Sequence, residues 1–375
     1  MIRHFDHINQ TIIGWQRFVS SSIGFCVLGL LSFGFQQASF AQAPSLSGVN
    51  IYAGDAVPRD VREIYDRGLG FLQKTQTSHG GWPSNHRGAG VPAMALMCFL
   101  ASGEDPNYGM YSGNIRRAAR HIIEMQDKAT GYFGGSMYHH GFGMLGLAEA
   151  YGVVDDRSLW RSGEASERAV EKMSIGQSLE LAVRCAVTSQ ENNSTGAWRY
   201  NPSGNEADTS VTGAVLMGLL AARNAGIEVP DKSIDKAIGY FAKMTTDSGQ
   251  VAYSGSVGGF NESLARIAIG SLVYSIARRK DLPQYKKTLE YLQGKIQGGT
   301  SGHGGIEYQS YYQAQALFQG DIDSWKKWNK LLIGRLKSAQ GEDGSIEGTQ
   351  GQHVATTLSL LALAVNFRFL PVYER

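Results

Sequence analysis

Asp208, Glu262, His139, His140 and His353 are the side chains of this sequence best suited to moving protons, and Tyr311 and Tyr312 form a pair of phenols that could orient a ligand. Glu262 opens an otherwise apolar stretch, where desolvation would keep a carboxyl protonated and fit it to act as a lone general acid. A carboxylate in a first helical turn is equally what the helix dipole favours, so the residue also has a purely structural reading. Asp208 poses the same choice. It precedes Thr209 and Ser210, and its oxygens could either donate a proton to a substrate or cap the free N–H groups of a helix start; capping is the expected role, as it is for Asn261 and Ser263. His139 and His140 are adjacent, so on a helix they diverge by about 100° and lack the i, i+4 spacing of a shared metal site. Each is expected to be a hydrogen-bonded structural histidine, and neither a metal nor a cofactor is expected.

The 375 residues carry 35 Lys and Arg against 33 Asp and Glu, a formal charge of +2. Without a basic block there is no electrostatic footprint for nucleic acid or anionic lipid. Hydrophobic residues at 42% and charged residues at 18% exclude a disordered chain. Glycine is the outlier: 47 residues, with only nine prolines and no Gly-X-Y period, mark many tight turns. At the N-terminus, Arg3 and Arg17 precede an apolar run from Ile23 to Phe35, and Ala41 and Ala43 form a small-residue cleavage site. This pattern predicts a secretory signal peptide, 1–43, and an exported chain, periplasmic or secreted. The run is shorter than the ~20 residues a spanning helix needs, so no stable membrane span is expected after cleavage; a retained signal anchor is the alternative. Residues 44–375 are expected to form a single domain. Cys26 would leave with the signal, and Cys98 and Cys185, each among apolar neighbours, are expected to be buried free thiols.

A repeat organises the remainder. A glutamine ending a helical pattern is followed by Gly and then by an aromatic or large aliphatic residue: Gln76 to Gly81-Trp82, Gln126 to Gly131-Tyr132-Phe133, Gln190 to Gly196-Ala197-Trp198, Gln297 to Gly305-Ile306, and Gln340 to Gly344-Ser345-Ile346. A degenerate copy at Gly249-Gln250-Val251 fills the remaining gap. Before each turn lies an amphipathic helix, such as Ile115, Ala118, Ala119 and Ile122 on one stripe. After each turn comes a helix that is apolar or small nearly all round, such as Pro92 to Ala101 or Val211 to Ala222, and such a helix must be buried. Six exposed and six buried helices satisfy every face as two concentric rings, an all-α α6/α6 toroid; an open solenoid of helix pairs would give the same local pattern. The irregular link 153–172 is expected to be an insertion on the rim.

The turn Gln340-Gly-Glu-Asp-Gly344-Ser345 resembles the glutamine-tryptophan turn of the squalene cyclase and protein prenyltransferase repeat family. So do Gly196-Ala-Trp-Arg-Tyr200 leading to Asp208, Met137-Tyr-His-His-Gly141 leading to Tyr151, and Phe369-Leu-Pro-Val-Tyr373. The resemblance covers nearly the whole chain beyond the signal peptide and implies the toroid. It does not bring the chemistry along. The middle acid of a cyclase Asp-x-Asp-Asp motif would fall on Ala207, Tyr311-Tyr312-Gln313-Ala314 contains no zinc-binding cysteine, and a thioester Cys-Gly-Glu-Gln string does not occur. The expected function is therefore binding of an extended apolar ligand or a partner segment in a central cavity. Tyr311, Tyr312, Phe142, Met144, Phe260 and Met217 would line it, with His139, His140, Asp208, Asn261, Glu262 and His353 at the mouth. Whether the chain is an enzyme stays open. The alternatives are a divergent terpenoid cyclase using Asp208 or Glu262 as acid, and a sugar-cleaving toroid of the polysaccharide lyase or glycosidase type.

Overall fold

The computed structural model describes residues 57–85, 87–160, 172–255, 262–296 and 305–373. Among them are thirteen helices and no strand. In chain order they are α1 (Arg59–Thr75), α2 (Gly90–Leu100), α3 (Ser112–Glu124), α4 (Met137–Ala150), α5 (Asp156–Leu159), α6 (Ile175–Glu191), α7 (Thr209–Asn224), α8 (Asp231–Met244), α9 (Leu264–Ile276), α10 (Pro283–Gly294), α11 (Gly305–Gly320), α12 (Ile322–Ala339) and α13 (Gln352–Ala364). Helices α1, α3, α6, α8, α10 and α12 bury one stripe each; in α3 it includes Ile115, Ala118, Ala119 and Ile122. Helices α2, α4, α7, α9, α11 and α13 are buried almost throughout, and every residue of α2 is.

The buried helices form the inner ring of an α/α toroid. Each packs on the next, α2 on α4, α4 on α7, α7 on α9, α9 on α11 and α11 on α13, and α13 returns to α2. The outer ring meets itself where α1 packs on α12. This closure is hydrophobic in origin: Val61, Leu69 and Leu72 of α1 and Leu360 and Leu363 of α13 are fully buried. Each would lose about 1.5–3 kcal/mol if left in water, which disfavours the open solenoid. The short α5 lies in the irregular link and is tied to α3 by Arg120 Nη1, which donates to Leu159 O at 3.0 Å.

The turn glutamines explain how successive pairs are joined. Gln76 Nε2 donates to Gly80 O in its own turn and to Asn114 O on α3, both at 3.1 Å. Gln126 does the same with Gly131 O and Ser178 O, each at 2.9 Å, Gln190 with Gly196 O and Ser233 O, each at 2.8 Å, and Gln340 with Gly344 O (3.0 Å) and Ile64 O (2.9 Å). One amide thus satisfies two carbonyls across an interface that hydrophobic contact alone would leave underspecified. Gln297 and Gly304 lie outside the described residues, and Thr245 takes the glutamine's place in the degenerate copy, bridging antiparallel to Val251. Gly131 shows why the turn needs glycine. Its φ is +78°, and a Cβ there would strike the Leu181 carbonyl of α6, so any other residue is both strained and blocked.

Two helix starts differ from the sequence expectation. Helix α4 begins at Met137 rather than Gly141, capped by Ser136 Oγ, which puts His139 and His140 inside its first turn. Helix α11 begins at Gly305, so Tyr311 and Tyr312 stand two turns inside it and not before it. Its polar residues hid the start from a hydropathy reading; each makes a hydrogen bond within the helix, Ser310 Oγ donating to Ile306 O (2.6 Å), Gln309 Nε2 to Gln313 Oε1 (2.9 Å) and Gln315 Nε2 to Tyr311 O (3.1 Å). Cys98 and Cys185 are buried free thiols. No helix among the described residues is long and apolar enough to cross a membrane.

Candidate functional site

The N-terminal ends of five inner helices and the loops that feed them enclose a cavity of about 640 Å³. Val91 and Met94 of α2, Val211 of α7, and Val354 and Leu358 of α13 give it an apolar floor. The rest of the lining is polar and aromatic and includes Tyr138, His139, Tyr200, Tyr253 and Tyr308, with Asn85, Arg87, Ser210 and Gln350.

Of the residues singled out in the sequence, His139 and Phe142 line this cavity. The His139 ring is fixed by its Nδ1, which accepts the Gly90 N–H at 3.2 Å; this places the proton of the neutral ring on Nε2. Tyr311 and Tyr312 are buried beside the lining, Tyr311 against Phe142 with ring centroids 6.0 Å apart and Tyr312 against Tyr308 at 5.0 Å. Met144 and Met217 are buried in α4 and α7 and are not part of the lining. Asp208 is fully buried behind the wall formed by Ser210 and Val211. Its Oδ1 caps α7, accepting the N–H groups of Ser210 (2.7 Å) and Val211 (2.9 Å), while its Oδ2 is buried with no partner at hydrogen-bond distance.

Three of the expected mouth residues are elsewhere. His140 points outward from α4 as a staple to the outer ring: Nε2 lies 3.0 Å from Ala182 O of α6, and Nδ1 accepts the Phe133 N–H at 3.4 Å. Burial pushes its pKa down from 6.5 to about 4. His353 is buried against Phe71, ring centroids 5.1 Å apart, rather than in the cavity. Glu262 is exposed and paired with Lys295 Nζ at 3.1 Å; that lysine and the Tyr291 hydroxyl hold its carboxyl below the usual range, the opposite of what a general acid needs. Phe260 and Asn261 lie outside the described residues.

The tyrosines were the residues that sequence reasoning missed. Tyr200 stands two residues after Trp198 and Tyr253 two residues after Val251, so successive repeats deliver a phenol from the same point of the turn. Their hydroxyls lie 3.0 Å apart. Desolvation, Tyr200 and the neighbouring Asp208 carboxylate all push the Tyr253 pKa up, and burial does the same to Tyr138 and Tyr308. These phenols stay protonated at neutral pH. Among the described residues no carboxylate lines the cavity, and no cluster of three or more His, Cys, Asp or Glu is arranged to hold a metal.

A family model described as a domain of unknown function, DUF6288, matches residues 62–323. The chain belongs to the DUF6288 family. The match runs from α1 into α12 and so spans most of the ring of this DUF6288 protein. No curated protein matches it in sequence. Among solved structures, a variant of the type II terpene cyclase MstE from Scytonema, in complex with geranylgeranyl dihydroxybenzoate, superposes with a TM-score of 0.58 at 12% identity, covering 83% of this chain and 98% of that one. A protein from Actinoplanes gives 0.56 at 12% identity, covering 82% and 99%. A glycosidase variant gives 0.55 at 10% identity, covering 83% and 98%. At these identities the likeness is one of fold, and toroids of this fold carry unrelated chemistries.

Proposed function

We propose that the protein is a binding toroid that takes one amphipathic small molecule into the axial cavity, apolar body on the floor and polar head among the phenols. The observation that carries this reading is a lining that joins apolar side chains, Val91, Met94, Val211, Val354 and Leu358, to a set of phenols, with no carboxylate among the described lining residues. The usual hydrolysis of a glycosidic bond uses two carboxyl groups flanking the substrate, and protonation of an alkene uses an acid that reaches it; the described lining residues include no carboxylate. The volume is within the range of small-molecule sites. The terpene cyclase with its bound prenylated substrate supports an apolar body over a partner segment.

The neutral dye Nile red is expected to bind at one molecule per chain, with its emission shifted to the blue. Val354→Trp, which fills the floor from a half-buried position, should abolish that binding while the circular dichroism spectrum is unchanged. Dye binding that is absent in the parent protein, or indifferent to Val354→Trp, would refute the reading. The proposal includes export of residues 44–375 as a single domain, resting on the pattern of residues 1–43. N-terminal sequencing of the exported protein should show cleavage after Ala43, and an intact N-terminus on a cytoplasmic protein would count against it.

A further inference from the structure

One residue sets the charge of the cavity lining. Arg87 is the single Lys, Arg, Asp or Glu among the described residues that line it, and it forms no ion pair among the described residues. The cations next to the phenols are matched. Arg199, whose guanidinium lies 5.9 Å from the Tyr200 ring centroid, pairs with Glu206. Arg266, 5.9 Å from the Tyr253 ring centroid, faces the surroundings of Asp208, whose neighbour Thr209 donates its N–H to Tyr253 O at 2.9 Å. These five groups together are net positive whether or not Asp208 is ionised. The backbone at Arg87 lies against His139: a Cβ on Gly88 would come within 2.6 Å of the His139 ring, and one on Gly135 would strike the Arg87 carbonyl and meet that ring. Tyr138, beside His139 in α4, has its ring centroid 6.0 Å from that of Tyr308. The guanidinium and the Tyr308 phenol thus belong to one flank of the lining.

Tyr308 leaves that flank incomplete. It lines the cavity and is only 8% exposed, yet its hydroxyl has no partner at hydrogen-bond distance; the hydroxyls of Tyr138, Ser210 and Tyr312 stand near it without reaching it. A buried hydroxyl without a partner destabilises the protein that holds it, and an acceptor brought in by a ligand would supply the missing bond. We propose that Arg87 and Tyr308 together hold the carboxylate of an amphipathic acid, so that the ligand of the cavity is a carboxylic acid with an apolar chain. A guanidinium only donates and a carboxylate only accepts, and hydrogen bonds between such charged partners are the strong ones. No described lining residue repels the anion. One unmatched guanidinium balances one negative charge, which favours a carboxylate over a phosphate dianion. This rests on the cavity reading above.

The test uses farnesoic acid, its methyl ester and farnesyl phosphate, which share one carbon skeleton, titrated calorimetrically into the full chain at pH 7.5. The acid should bind about tenfold tighter than the neutral ester, and tighter than the phosphate. Arg87→Gln, at an exposed position where the fold is not at stake, should weaken the acid about tenfold and leave the ester unchanged. Tyr308→Phe should also weaken the acid about tenfold without lowering the melting temperature, because the hydroxyl it removes has no bond to lose in the free protein. A phenol kept only for packing would leave the affinity unmoved. Equal binding of acid and ester, preference for the phosphate, or an acid affinity unchanged in either folded variant would overturn the subsite while leaving the cavity reading intact. If none of the three molecules binds the parent protein the subsite falls, and the Nile red titration then decides the cavity reading by itself.

Discussion

Trp198→Ala is expected to destabilise the protein by about 4 kcal/mol, the range for removing a large aromatic side chain from a packed interior. Trp198 is 1% exposed and its loss would do more than open a void. Its Nε1–H donates to Ala186 O at 2.9 Å on α6, and its backbone is tied to α7 through Thr212 Oγ1 (3.1 Å) and through its carbonyl, which accepts the Asp208 N–H at 3.0 Å. The residue thus joins an outer helix to the inner helix that follows it, the indole holding α6 and the backbone α7. Equilibrium unfolding in urea should give the loss, and for a domain of this size it corresponds to about 10 °C in melting temperature. Trp198→Phe should recover roughly half, because a ring remains but the bond to Ala186 does not. A Trp198→Ala protein that unfolds at the parent's urea midpoint would show that the turn aromatics are not what joins the two rings.

Acid should weaken the fold through His140 well before the carboxylates titrate. In the folded chain burial holds its pKa at about 4, against 6.5 for the free ring. As pH falls below about 6.5 the unfolded chain takes up a proton that the folded chain refuses, so stability is full above 6.5 and drains away as pH approaches 4. The difference corresponds to about 3 kcal/mol. His353, also held below 6.5 by burial, works in the same direction. The carboxyls of Asp127, Asp321 and Asp343, which their hydrogen bonds hold down, lose their contribution only at lower pH. His140→Gln retains a donor and an acceptor for Ala182 O and Phe133 N–H but has nothing to titrate. It should be less stable than the parent at pH 7 and should flatten the dependence of unfolding free energy on pH between 6.5 and 4. A slope in that window identical to the parent's would remove His140 as its source.

The rings could be read from the sequence because the signals that make them are local. Gly131 and Gly344 mark turns that only glycine can make, Trp82 and Trp198 follow those turns, and the stripe from Ile115 to Ile122 has a helical period that no strand shares. The site could not be read in the same way. Its key phenols, Tyr200 and Tyr253, come from loops, where no period says which way a side chain points, and they meet across 53 residues of chain. Glu262 misled because its neighbours in sequence are apolar while its neighbour in space is Lys295. His140 misled because one residue along a helix is a large rotation, enough to send it to the outer ring while His139 faces the cavity.

The bond from Gln340 to Ile64 O closes the circle with the same chemistry that joins α1 to α3, α3 to α6 and α6 to α8, and that changes how the molecule can come apart. A row of helix pairs loosens from its two ends, where each terminal pair has lost one neighbour. Here the last pair has the first for a neighbour, so no pair is terminal. Any opening has to sever two interfaces together. The chain has a beginning and an end, but its architecture has no free end from which pairs can be shed one interface at a time.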